Sequence, residues 1–137
     1  MKYKFLEHTA DIKFKVFGES IEEIFENSVL AVSDFMTKGK KIDKNLKKEI
    51  EISGRDYEKI FYLFIDELIF LLDTQGFIAS SAKIKISKKR NIILKAVLLG
   101  GNAKKYKHLD SIKSATYSEM YIKKTKTGWE AQAVVDV

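Results

Sequence analysis

Apolar residues in this chain recur with two different periods, and only two stretches carry the helical one. Over residues 20–36, Ile21, Ile24, Phe25, Ser28, Val32, Phe35 and Met36 return every three or four positions. Ser20 followed by Glu23 is a capping-box pattern, in which each side chain satisfies a backbone N–H of the other residue. Over residues 56–73, Ile60, Phe61, Phe64, Ile65, Leu68, Leu71 and Leu72 make a wide apolar face between Gly54 and Gly76. Apart from Asp66 and Glu67 this second stretch is nearly apolar from Ile60 to Leu72, which predicts a central buried helix.

Elsewhere the period is two. Tyr3 and Phe5 share a face of a first strand, and Ile12, Phe14 and Val16 share a face of a second, with Lys13 and Lys15 opposite. Ile50 and Ile52 mark a third strand. Ala82, Ile84 and Ile86 alternate with lysines, a turn follows at residues 88–91, and residues 92–99 return. Gly100-Gly101 is expected to open a polar loop reaching Asp110. Residues 111–123 are expected to form one long strand, and Trp129–Val137 a closing one. The lysine-rich stretch 38–48 is the only linker-like segment. Few helices among many strands leave no room for repeated βαβ crossovers. The expected class is α+β, two-layer, with a mixed, mostly antiparallel sheet and two helices packed on one face.

A length of 137 residues fits one domain, 1–137, and 45% hydrophobic residues can supply its core. No apolar run approaches the ~18 residues that span a bilayer, and residues 1–8 hold no apolar signal core. The chain reads as cytoplasmic, with no membrane partner. Cysteine is absent, which excludes disulfides, thiolate zinc sites, iron–sulfur clusters and cysteine nucleophiles. The net charge of +6 points to an anionic partner, but only Arg55 and Arg90 among 25 basic residues are arginine. A protein that reads bases or phosphates by bidentate contacts normally carries more. Charge is also uneven: Glu19, Glu22, Glu23, Glu26 and Asp34 load the first helix without a single base, so the strands and loops are strongly basic.

No phosphate-binding fingerprint is present, since Gly100-Gly101 lacks the strand–GxGxxG–helix setting. The densest polar cluster is Glu7-His8-Thr9-Ala10-Asp11, read either as a turn capped by Asp11 or as part of a cation site. The last strand places Asp136 beside the terminal carboxylate of Val137. If that strand neighbours the one leading from Asp11, three oxygen anions converge. Like charges raise one another's pKa, and a hard cation with oxygen ligands, Ca²⁺, Mg²⁺ or Mn²⁺, resolves the conflict. On this reading the chain ends at Val137 because its last carboxylate is used. Lys113 is either a solvated strand lysine or an anchor for phosphate or acid.

Taken together these segments resemble the archease family. Phe5-Leu6-Glu7-His8-Thr9-Ala10-Asp11-Ile12 is similar to its N-terminal signature, and residues 20–27 and 64–77 to its two helices. Ile112-Lys113-Ser114-Ala115-Thr116-Tyr117 and Val135-Asp136-Val137 are similar to its last strands. Ser118 stands where the family usually has His. The resemblance implies a small α+β protein that performs no ligation itself. It implies a partner, the RtcB-type RNA ligase of tRNA splicing, whose GTP-dependent guanylylation it promotes for multiple turnover. tRNA would be reached indirectly through that ligase. It implies a divalent-metal site at Asp11, Asp136 and Val137, and Lys113 contacting ligase or nucleotide; His8 is read as a metal ligand, a core histidine or, preferred here, a partner behind the ligands. Two competing readings are a metal-dependent phosphohydrolase acting alone through Asp11, His8 and Asp136, and a basic RNA-binding module. Against the second, no aromatic RNA-binding strand motif is present.

Overall fold

A computed structural model describes residues 1–7 and 11–137. The chain runs β1 (Tyr3–Leu6), β2 (Asp11–Gly18), α1 (Ile21–Thr37), β3 (Leu46–Gly54), α2 (Tyr57–Gln75), β4 (Phe77–Lys88), β5 (Ile92–Asn102), a 3₁₀ turn (Ala103–Lys105), β6 (Ser114–Ala115), β7 (Tyr121–Thr125) and β8 (Gly128–Asp136). Both helices sit where the periodicity put them. The Ser20 hydroxyl accepts the Glu23 N–H at 3.2 Å, and the Asp56 carboxylate accepts the Lys59 N–H at 2.8 Å. Each side chain fills one of the orphan donors of a helix start. Gly76 closes α2 in the left-handed region, its N–H donating to the Leu71 and Leu72 carbonyls.

The α+β class holds, and every strand pairing among the described residues is antiparallel. The expected single sheet does not: hydrogen bonding divides the strands into two. One runs β1-β2-β8-β6, with β7 also on β8, and the other runs β3-β5-β4. Between them lie the helices and a shared core. Phe25 of α1 meets Phe61 and Phe64 of α2 edge-to-face, with centroids 5.7 and 5.5 Å apart. Phe14, Val16, Ala131, Ala133 and Val135 supply that core from the first sheet, and Leu94, Ala96 and Leu98 from the second.

Two further expectations need correction. Gly100-Gly101 continues β5 instead of opening a loop. Here β4 shifts register between Ala79 and Ser81, and its backbone closes in until a Cβ on Gly100 would lie 2.1 Å from the Ile78 carbonyl oxygen. The glycine therefore answers to a close strand approach, not to a turn. The long strand 111–123 is likewise broken into β6 and β7. Thr116 donates both its N–H and its hydroxyl to the Val134 carbonyl. Ser118 N–H then turns back to the Thr116 hydroxyl, and Glu119 enters the left-handed region at φ 53°. The chain leaves the edge of β8 and rejoins it at Tyr121, opposite Gln132.

Candidate metal centre

β8 is the strand on which the site is built. It pairs with β2 from Asp11↔Asp136 to Gly18↔Trp129, and on its other edge with β6 at Ser114↔Asp136. Asp11, Asp136 and Ser114 therefore form one row across three strands. Residues directly opposite in antiparallel strands project to the same face, with Cβ atoms about 4.5–5.5 Å apart. Since Ile12, Phe14 and Val16 turn toward the core with Ala131, Ala133 and Val135, this row lies on the outer face. The Ser114 hydroxyl donates to Asp136 Oδ2 at 3.4 Å.

The segment beside β8 is fixed by backbone donors. Lys113 N–H donates to the Asp136 carbonyl at 2.8 Å, and Ala115 N–H donates to Asp66 Oδ1 of α2 at 2.9 Å. The polar break that Asp66 makes in the apolar face of α2 thus has a structural use. Asp11 and Asp136 are half-buried, and Val137 is exposed.

The sequence-derived condition for a carboxylate site was that the last strand neighbour the one leading from Asp11, and it does. Two carboxylates held opposite one another repel unless a cation or donors intervene. Among the described residues no group of three His, Asp or Glu side chains gathers. The side-chain oxygens of the row are those of Asp11, Asp136 and Ser114. This all-oxygen set fits a hard divalent cation, not a soft one. Lys113 is brought alongside by its backbone, while its side chain is exposed and forms no ion pair among the described residues. His8 lies outside the described residues, as do Thr9 and Ala10. Ser118 is exposed.

Sequence reasoning missed the groups that furnish the rest of this outer face. Lys13 Nζ donates to Glu119 Oε1 at 3.0 Å, and the Glu119 carbonyl accepts Gln132 Nε2 at 2.8 Å. The β6–β7 loop is thereby drawn over Val134, which is 1% exposed although it points away from the core. Glu130 accepts the Tyr121 hydroxyl and pairs with Lys15 at 3.9 Å and Lys123 at 3.8 Å. Burial, and then the Glu130 bond and charge, push the Tyr121 hydroxyl well above its ordinary value. The only signal for this network was the polar alternation Glu130, Gln132, Asp136, which names polar groups but not their partners.

Comparison with known proteins sets the chain in a family. The pattern described as the Archease protein family (MTH1598/TM1083) matches residues 3–137. Protein archease of Pyrococcus furiosus is 35% identical over 140 residues, covering 99% of each chain, and that of Thermococcus kodakarensis 36% over the same span and coverage. Protein archease of Archaeoglobus fulgidus is 32% identical over 137 residues, covering both chains completely. The solution structure of Methanobacterium thermoautotrophicum protein 1598 superposes with a TM-score of 0.81 at 27% identity, covering 98% of each chain. An α+β chain with a cross-strand carboxylate pair on an outer sheet face is thus set within a named group: it belongs to the archease family. No helix among the described residues is long and apolar enough to cross a membrane.

Proposed function

We propose that the chain is an accessory protein of an RtcB-type RNA ligase, promoting GTP-dependent guanylylation of that ligase so that it turns over repeatedly in tRNA splicing. The observation that carries the reading is the cross-strand pairing of Asp11 with Asp136 in a chain of archease sequence from end to end. Asp11, Asp136 and the Val137 carboxylate would hold a divalent cation, Ca²⁺, Mg²⁺ or Mn²⁺. When bound, the cation supplies concentrated positive charge against phosphate oxygens. Ser114 and the Lys113 N–H hold Asp136 in place, and Ala115 ties their segment to Asp66. The exposed Lys113 side chain is left to reach an acidic ligase surface or a phosphate. On this reading the chain works in the cytoplasm, meets tRNA through the ligase, and catalyses no ligation of its own.

The test is ligase guanylylation under multiple-turnover conditions with Asp11→Asn, Asp136→Asn and Lys113→Ala proteins of unchanged circular dichroism. Turnover should fall by more than about tenfold in each, the scale on which metal-site substitutions act. Mn²⁺ or Ca²⁺ should raise the melting temperature of the wild type and leave Asp136→Asn unmoved, because binding only to the folded state adds stability. Wild-type turnover in all three variants would discard the reading.

A further inference from the structure

The β6–β7 loop that closes over the outer face presents a second feature on its other side, and the carboxylate row does not use it. The Tyr117 ring lies flat on the Tyr62 ring of α2, with centroids 4.2 Å apart and planes 8° from parallel. Tyr117 is nonetheless 50% exposed. Tyr62 occupies one face of the Tyr117 ring, and Tyr117 also lines an open cavity of about 550 Å³ with Gly54, Arg55, Asp56, Glu58 and Lys59. This volume is in the range of small-molecule sites, roughly 300–1,000 Å³.

The walls of the cavity are chemically mixed. Arg55 is one of only two arginines in the chain, and among the described residues it makes no ion pair. A guanidinium offers paired donors whose spacing matches phosphate oxygens. Lys59 adds a second cation, with its Nζ 5.9 Å from the Tyr62 centroid. Asp56 is committed to capping α2 through the Lys59 N–H, whereas Glu58 offers an acceptor for ribose hydroxyls or a base N–H. The ring is also held in advance. Thr116 is fixed to Val134, Ala115 to Asp66 and Ser118 to Thr116. A ligand stacking on Tyr117 would therefore have little loop left to order.

We propose that this cavity binds a nucleotide, with the base stacked on the open face of Tyr117 and the phosphate against Arg55 and Lys59. Stacking of this kind tolerates any base, because every base has a π-face. The nucleotide could be free in solution or the terminal residue of an RNA chain, and the shared chemistry is a base joined to phosphate. The proposal does not depend on the ligase reading, since binding is measured on this protein alone.

The test is titration of the ¹⁵N-labelled full-length protein with AMP, with GMP, with a single-stranded hexaribonucleotide and with inorganic phosphate, following backbone amide shifts. Shifts should gather at residues 54–59 and 116–118. Tyr117→Leu and Arg55→Gln should each weaken binding by about tenfold or more, as removal of a stacked ring does elsewhere. Saturation by the mononucleotides would assign the site to free nucleotide, and saturation by the hexamer alone to an RNA chain. Three results would overturn the proposal: no shifts at these residues with either, affinity for inorganic phosphate equal to that for AMP, or unchanged affinity in a Tyr117→Leu protein whose other amides stay in place.

Discussion

The two sheets are built from the same alternating pattern of apolar and charged residues, yet their outer faces have little in common. On the β3-β5-β4 sheet the outward side chains are Lys47, Glu49 and Glu51 beside Val97 and Lys95, with Lys83 and Lys85 on the far strand. Its ion pairs, Lys95–Glu51 and Lys47–Glu49, span 3.8 Å between side chains more than 60% exposed. Such pairs contribute little, because water screens them and two long side chains lose freedom to form them. On the other sheet Glu130 is only 19% exposed and is met by Tyr121, Lys15 and Lys123. Lys13 reaches across Val134 to Glu119, and Gln132 is buried. What separates the faces is a covering element. The loop between β6 and β7 excludes water from one of them, and charges that would otherwise be solvent decoration become a connected network. The carboxylate row sits at the end of that covered face.

The contrast should vanish on the inner faces, where both sheets feed one core. Phe14→Ala in the first sheet should cost about 3–5 kcal/mol and Leu98→Ala in the second about 2–5 kcal/mol. Both should move a single unfolding transition. Trp129 lies in β8 against Tyr57 of α2 and reports by fluorescence on the first sheet and the start of that helix, while circular dichroism reports on the whole chain. A Leu98→Ala protein whose Trp129 transition stays at the wild-type midpoint would show that the sheets unfold separately, and the comparison would become one between two independent units.

On the outer faces the costs should diverge. Glu130→Ala should destabilise by about 1–2 kcal/mol, since it strips a hydrogen-bonded carboxylate from partly buried partners. Glu51→Ala should stay within about 0.5 kcal/mol. Both changes place alanine in a strand, so strand propensity cancels and thermal melts of the two variants isolate the covering effect. Equal shifts would mean that the loop over Val134 shields nothing.

Much of this fold could be read from residue order, and the reasons are local. Ser20 and Asp56 cap helices with their own neighbours, and Gly76 ends α2 by its own conformation. The division into two sheets could not be read, because an alternating strand carries no mark of which strand it will pair with. Gly100 misled for the same reason: its cause is the Ile78 carbonyl, twenty-two residues away in sequence but touching in space. For the site, Asp11 and Asp136 were legible as carboxylates at strand ends, and their meeting followed once β2 and β8 were neighbours. Ser114, Glu119 and Tyr117 were not legible. They lie in a stretch whose strand pattern conceals a turn set by the Thr116 hydroxyl, and hydroxyl-directed turns compete with strand pairing on nearly equal terms.

The smallest expected difference between the sheets is their response to alkali. β3, β4 and β5 contain no tyrosine, whereas β1 carries Tyr3 and β7 carries Tyr121. The Tyr3 hydroxyl donates to Asp34 Oδ2 of α1 at 2.9 Å. Burial first, then that hydrogen bond and the Asp34 charge, push it up to about 12 from an ordinary value of 10.0. A tyrosine harder to ionise when folded than when unfolded stabilises the folded state fully below its unfolded pKa. That contribution fades as pH rises toward the folded pKa, because the unfolded chain loses the proton first. The window is therefore pH 10 to 12. Urea midpoints of the wild type and Tyr3→Phe should differ in favour of the wild type at pH 9, and the gap should close through that window. Tyr121 is raised in the same direction and is present in both proteins, so it cancels from the difference. A gap that stays constant from pH 9 to pH 12 would mean that the Tyr3–Asp34 bond does not couple β1 to α1, and that the edge of the covered sheet is as loosely held as the outer face of the other.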